Sequence, residues 1–154
     1  MNLAVLRKTR RNPEPGDIFA MLPPDGLFLF GRVISVDANP LGVGGAYLIY
    51  VYRARARQKT RVPELFRGQL LVPPMMTNKR PWTMGYFEPV EKRPLGPMDV
   101  LPQHCFKDSR GWYFDEQGNR LPAPVEPVGQ WGLHSFRTID DAVSGALGIP
   151  LAPD

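Results

Sequence analysis

The chain has 154 residues, 43% of them apolar and 22% charged, and a formal net charge of +4. That length suits a single domain with a buried core, and a lone cysteine, Cys105, excludes a disulfide framework within the chain. No apolar run approaches the ~20 residues that cross a bilayer, and Met1–Val5 is too short for the apolar region of a signal peptide, so the expected compartment is the cytoplasm.

Fifteen glycines and eighteen prolines break the chain into short elements, which favours strands over long helices. The expectation is a mainly β fold: a small antiparallel barrel or strongly bent sheet, SH3-like in style, with one short C-terminal helix docked on it. Residues 1–12 read as a basic leader, either a mobile terminus or an arm that reaches a partner. Residues 13–154 read as one β-rich domain. Charge is uneven along the chain: residues 1–61 hold ten Lys/Arg against four Asp/Glu, and the remainder nine against eleven. A basic first half points to an acidic partner, either nucleic acid or an acidic protein face.

The first predicted element is a hairpin. One strand runs from Pro15 to Leu22 and the chain turns at Pro23-Pro24-Asp25-Gly26, where proline presets φ, Asp25 bonds nearby backbone and Gly26 accepts positive φ. The returning strand has Leu27, Leu29 and Val33 on one side and Phe28, Phe30, Ile34 and Val36 on the other, the mark of a strand covered on both faces. A loop over 37–45 follows, with three glycines in four positions. It leads into a strand rather than a helix and lacks the spacing of a phosphate-cradling loop, so it reads as a connector.

The strand over 46–52 runs into Arg53-Ala54-Arg55-Ala56-Arg57-Gln58-Lys59-Thr60-Arg61. Kept extended, it would put Arg53, Arg55, Arg57, Lys59 and Arg61 on one face about 6.6 Å apart, close to the phosphate spacing of a single strand. These five are the candidate partner-binding residues. A charged edge that discourages strand pairing is the structural alternative. Pro63 opens a predicted single helical turn over 64–66, and Leu70–Val72 reads as a short strand stopped by Pro73-Pro74. After a loop to Pro81, a strand is predicted over 82–90, with Trp82, Met84 and Tyr86 on one face and Phe87 on the other. Proline-rich 91–104 reads as irregular. A second hairpin is predicted from Cys105-Phe106-Lys107 through Asp108–Gly111 to Trp112–Asp115. The last element is a helix over 138–147, capped by Thr138 and Asp141, with Ile139, Ala142, Val143, Ala146 and Leu147 forming its apolar stripe.

No catalytic constellation emerges. His104 and His134 with Cys105 are too few for a metal site, and neighbours on a strand point to opposite faces, which disfavours a His104–Cys105 pair. Asp115-Glu116 and Asp140-Asp141 are explained by a turn and by the first turn of a helix. No enzyme, cofactor or metal is expected.

The stretches Gly16-Asp17-Ile18-Phe19-Ala20, Asp25-Gly26 and Phe30-Gly31-Arg32-Val33-Ile34 resemble the opening of the immunity protein 26 family. The likeness continues through the strand over 46–52, Pro73-Pro74, Trp82–Phe87 and Trp112–Gly118, covering most of residues 13–120. The resemblance implies an all-β bacterial binding protein that neutralises a cognate toxin of a polymorphic toxin system without catalysis. It marks Gly16, Asp17, Phe19, Gly26, Gly31, Arg32, Trp82 and Gly85 as motif residues, read here as scaffold. Nuclease inhibitors usually present an acidic face, so the basic first half is a departure. The second functional class is a small nucleic-acid-binding β-barrel module that uses the row 53–61 with Tyr50 and Tyr52.

Overall fold

The computed structural model describes residues 1–42 and 44–154; Val43, in the predicted connector 37–45, lies outside the described residues. The opening hairpin forms as expected, with β1 over Asp17–Met21 and β2 over Phe28–Ala38. Next come β3 (Ala46–Ala56), β4 (Leu70–Thr77), the one-turn helix α1 (Arg80–Thr83) and β5 (Glu88–Lys92). A 3-10 turn over Pro97–Asp99 precedes four short strands: β6 (Cys105–Lys107), β7 (Tyr113–Phe114), β8 (Arg120–Leu121) and β9 (Val128–Gln130). Strand β10 (Leu133–His134) and helix α2 (Phe136–Leu147) end the fold.

The fold is mainly β, in two sheets. One has the order β10-β4-β3-β2-β1-β5 and the other β8-β7-β6-β9. The first sheet ends at β10 and β5, and no closed barrel is found among the described residues. Register shifts along β2–β3 mark bulges, which bend and twist the strands locally. One bulge lies between Val33 and Ser35. It puts Val36 with Val33 on one side of the sheet while Ile34 stays on the other, where strict alternation placed Ile34 and Val36 together.

The central sheet is covered on both faces, as the two-sided apolar pattern of β2 requires. One face buries Phe19, Leu29, Val33, Ile49 and Val51 against Leu3, Trp82, Phe87 and the α2 residues Ile139 and Val143. The opposite face buries Ile18, Phe30, Leu48, Tyr50 and Tyr52 with Phe106 of the second sheet and Leu65. Helix α2 therefore docks through Ile139, Ala142, Val143 and Leu147 of the predicted stripe, while Ala146 is exposed. The helix starts earlier than expected, because Ser135 is the N-cap and its Oγ accepts from the Thr138 N–H at 3.1 Å. Thr138 is thus capped rather than capping. Gly148 ends the helix in the left-handed conformation.

Two local rules of the sequence reading are overturned by tertiary pairing. Strand β4 does not stop at Pro73-Pro74 but runs through them. Ile49 faces Met75 and Val51 faces Val72, so the two prolines share a bulge opposite Tyr50 where the ladder is already interrupted. The predicted strand over 82–90 begins only at Glu88, as β5, and its start is replaced by α1, with Pro81 in its first turn and the Asn78 side chain accepting from the Arg80 N–H at 3.0 Å. Trp82 and Phe87 consequently lie in one cluster, edge to face at 5.0 Å, instead of on opposite faces. The helical turn predicted over 64–66 is irregular backbone.

The leader is tied to this frame at several points. Ala4, Leu6 and Thr9 donate to the carbonyls of Leu22, Gly85 and Trp82. The fully buried Asp140 carboxylate on α2 accepts from the N–H groups of Asn2 and Leu3. Its acidity therefore serves as a clasp between the first residues and the last helix.

Candidate partner-binding surface

The motif residues of the opening hairpin sit inside the scaffold except Gly26, which is exposed at its turn. Gly16 has φ +91°, and a Cβ there would meet the Arg93 carbonyl oxygen at 2.5 Å, so only glycine fits between the two chains. Asp17 is buried, accepts the Glu14 N–H at 2.9 Å and has Arg11 3.7 Å away. Phe19 stacks on Phe87 at 4.2 Å and meets the edge of Trp82 at 5.3 Å. Its ring lies over the Gly31 backbone in the facing strand. Arg32 is buried, and its Nη2 donates to the carbonyls of Arg93 and Pro94 at 2.6 and 3.1 Å. Asp99 lies 3.4 Å from the same guanidinium. Gly26 closes the hairpin turn, and Gly85 turns the chain after α1, against Val5 and Lys8 of the leader.

The five cations of the basic row are not brought into one line. Strand β3 ends at Ala56 and the chain turns over 57–61. Arg55 reaches back to the hairpin turn, donating to Asp25 and to the Leu27 carbonyl, both at 2.7 Å. Lys59 pairs with the buried Glu88 at 2.9 Å. Arg53, Arg57 and Arg61 are exposed and make no ion pair among the described residues. The following loop presents Phe66, 55% exposed, and is hydrogen-bonded back to the row: Arg53 N–H donates to Gln69 O and Gln69 N–H to Phe66 O.

A polar cluster missed by the sequence reading links the two sheets. Tyr50 Oη lies 2.5 Å from His104 Nε2 and accepts the Leu101 N–H at 2.9 Å, while Glu116 Oε2 lies 2.6 Å from His104 Nδ1. The order resembles a base held by a carboxylate, but Tyr50 is wholly buried. His104 is buried as well. The arrangement therefore fastens one layer to the other. Nothing in 50-x-104-x-116 is local, so no motif could have revealed it.

Burial pushes the Tyr50 hydroxyl up to about 12, against the opposing pull of the Leu101 N–H, and raises Tyr52 further still. Both phenols are thus kept neutral in the fold, whereas in the unfolded chain they ionise near pH 10. Above that pH the unfolded state sheds protons that the folded state retains. The stability these groups contribute is complete below pH 10 and is lost as pH rises toward 12. Melting temperature should fall across this alkaline window, and Tyr50→Phe should flatten the fall. An unchanged slope would assign the loss to other groups.

Two further carboxylates are occupied in turns. Asp115 accepts the Gln117 and Asn119 N–H groups in its turn, both at 2.9 Å. Asp108 organises the β6–β7 turn by accepting from the backbone N–H of Arg110 and Trp112. Burial opposes its charge, but the Trp112 N–H and the Arg110 side chain hold it below the usual carboxylate range. Among the described residues, no group of three His, Cys, Asp or Glu side chains could hold a metal ion. Among the described residues, no helix is long and apolar enough to cross a membrane.

The immunity protein 26 family model matches residues 14–111. The chain belongs to the immunity protein 26 family. No curated protein and no solved structure matches it. The match begins beside Gly16 and takes in the hairpin, the whole of β3 and β4, α1 and β5. The matched residues therefore hold five of the six strands of the central sheet, with α1 and β6. The second sheet beyond β6, β10 and α2 lie outside the matched residues.

Proposed function

We propose that this immunity protein 26 family member binds a cognate bacterial toxin in the cytoplasm and neutralises it by covering part of its surface, with no reaction catalysed. One observation carries this reading. The motif residues through which this chain resembles the family are taken up by turns, close backbone approaches and core packing, which supports a shared platform with the contact on its exterior. Arg53, Arg57 and Arg61, with the exposed Phe66 in the loop that follows them, are the proposed contact. Exposed arginine and aromatic side chains are the residue types enriched in interface hot spots. Arg55 and Lys59 support it by fixing the end of β3 and the loop beyond it.

The nucleic-acid reading needs evenly spaced cations along an extended row. The turn over 57–61 and the pairing of two of the five cations remove that track, which is why the toxin reading is placed first. Coexpression with the toxin encoded by the adjacent gene tests it. Growth should be restored by the wild-type protein and impaired again by Arg53→Glu/Arg57→Glu/Arg61→Glu. Failure of the wild type to protect or to copurify with that toxin would refute the reading.

A further inference from the structure

The turn between β6 and β7 and the strand β8 build a second charged feature, outside the basic row. The guanidinium of Arg110 lies 3.7 Å from the centre of the Trp112 ring and that of Arg120 lies 3.8 Å from it. Two planar cations that close to one ring centre cannot share a face without overlapping, so they cover opposite faces of the indole. Cation–π attraction holds each in place. Arg110 is further fixed by Asp108, whose Oδ2 accepts from Nε at 2.9 Å and lies 2.8 Å from Nη2. Arg120 makes no ion pair among the described residues. All three side chains are exposed, Trp112 by 38%.

Nothing in the fold requires this stack. Trp112 stands outside both core clusters, and holding two like charges on one ring costs electrostatic energy that an approaching anion would relieve. Asp108 neutralises one of them. Arg120 is left as an oriented fork whose rotamer freedom is already reduced, which lowers the entropy cost of binding and suits a carboxylate accepted through two N–H groups. Asp108 also lines an open recess of about 500 Å³, together with Lys107, Ser109, Gln130 and Trp131. A chain crossing the clamp could seat a side chain there, beside another cation.

We propose that Arg110, Trp112 and Arg120 form a clamp for a carboxylate-bearing segment of a protein partner, with Arg120 the ligating group and the recess beside Lys107 receiving a neighbouring side chain. This rests on the reading of the chain as a toxin-binding immunity protein and adds a second contact to it. The clamp begins at Arg110 and continues past residue 111, where the family match ends, so it can be specific to one target without altering the shared scaffold. A protein partner is favoured over nucleic acid because both faces of the indole are occupied. No base can stack on it, and base stacking is what makes exposed aromatics useful to single-stranded nucleic acid.

Two measurements test the clamp. In the first, the Trp112 indole N–H resonance is followed at physiological salt during titration with a glutamate-rich peptide and with an oligothymidine of equal charge. The peptide should shift it, Arg120→Glu should abolish the shift, and the oligothymidine should leave it in place. No shift with the peptide, or an equal shift with the oligothymidine, overturns the proposal. In the second, affinity for the toxin encoded by the adjacent gene is compared between wild type, Trp112→Ala and Arg120→Glu. A loss of about tenfold or more in both variants, at unchanged melting temperature, is expected for an interfacial hot spot. Wild-type binding with both variants within about twofold sinks the clamp and leaves the toxin reading standing. No wild-type binding sinks the toxin reading, and the peptide titration still decides whether the clamp takes carboxylates.

Discussion

Gly31→Ala is expected to lower stability by about 3 kcal/mol, the upper end of the range for overpacking a core, read as a shift in the urea midpoint. The added methyl group would fall within the Phe19 ring on one side and 2.9 Å from the Tyr50 carbonyl oxygen on the other. Neither can retreat easily. Phe19 is fully buried, stacked on Phe87 and wedged by Trp82, and the Tyr50 carbonyl belongs to β3, the strand that flanks Gly31 opposite β1. Trimming the ring as well should return part of the loss. The double variant Phe19→Leu/Gly31→Ala should therefore fall by less than the sum of the two single changes. Additive losses, or a Gly31→Ala midpoint within error of wild type, would show that the aromatic lid over Gly31 is not a tight constraint.

Arg32→Ala is expected to cost about 3 kcal/mol, because two partly buried carbonyls lose their donor at about 1–3 kcal/mol each. The deletion would strip the Arg93 and Pro94 carbonyls of their donor and leave Asp99 facing an empty space. Arg32→Lys should recover only part, because a single ammonium cannot reproduce the fork that serves two successive carbonyls. The damage should begin locally. Amide exchange should speed up first over 93–99, the segment that Arg32 pins, before the sheet itself loosens. If both substitutions were tolerated and that segment stayed protected, the buried arginine would be dispensable to the scaffold and its place in the family motif would need a role on the surface.

The sequence made the hairpin and the last helix legible because each is specified by short-range chemistry. Asp25-Gly26 turns the chain, two apolar faces call for two covering layers, and the stripe from Ile139 to Leu147 meets the sheet. The cap lies one turn earlier than expected because Ser135 and Thr138 can both cap a helix, and Ser135, the stronger of the two, takes the position. Pro73-Pro74 misled for a different reason. A proline pair stops a strand by removing donors, but a bulge opposite Tyr50 supplies a site where those donors are not needed. Trp82 has strand propensity, and Pro81 with Asn78 overrode it in favour of a helical turn.

The candidate surface was legible as a cluster of charge and illegible as an arrangement. Arg55 meets Asp25 and Lys59 meets Glu88 across about thirty positions of chain, pairings fixed by strand register rather than by anything near the arginines. The clamp escaped notice because β7 and β8 have two residues each, too short to show the alternation that would have set Arg120 beside Trp112. Its one sequence signal was Arg110-Gly111-Trp112 followed by a tight turn and another arginine.

The central claim is that the fold presents a surface which blocks a toxin by occupancy alone. Titrating the purified protein into a fixed amount of the toxin encoded by the adjacent gene, with toxin activity as the readout, tests it most directly. The expected result is inhibition that rises with the molar ratio, reaches completion near saturation, does not deepen with time and is weakened by charge reversal at Arg53, Arg57 and Arg61. Full activity at saturating protein, or progressive inactivation by a small fraction of an equivalent, would contradict it.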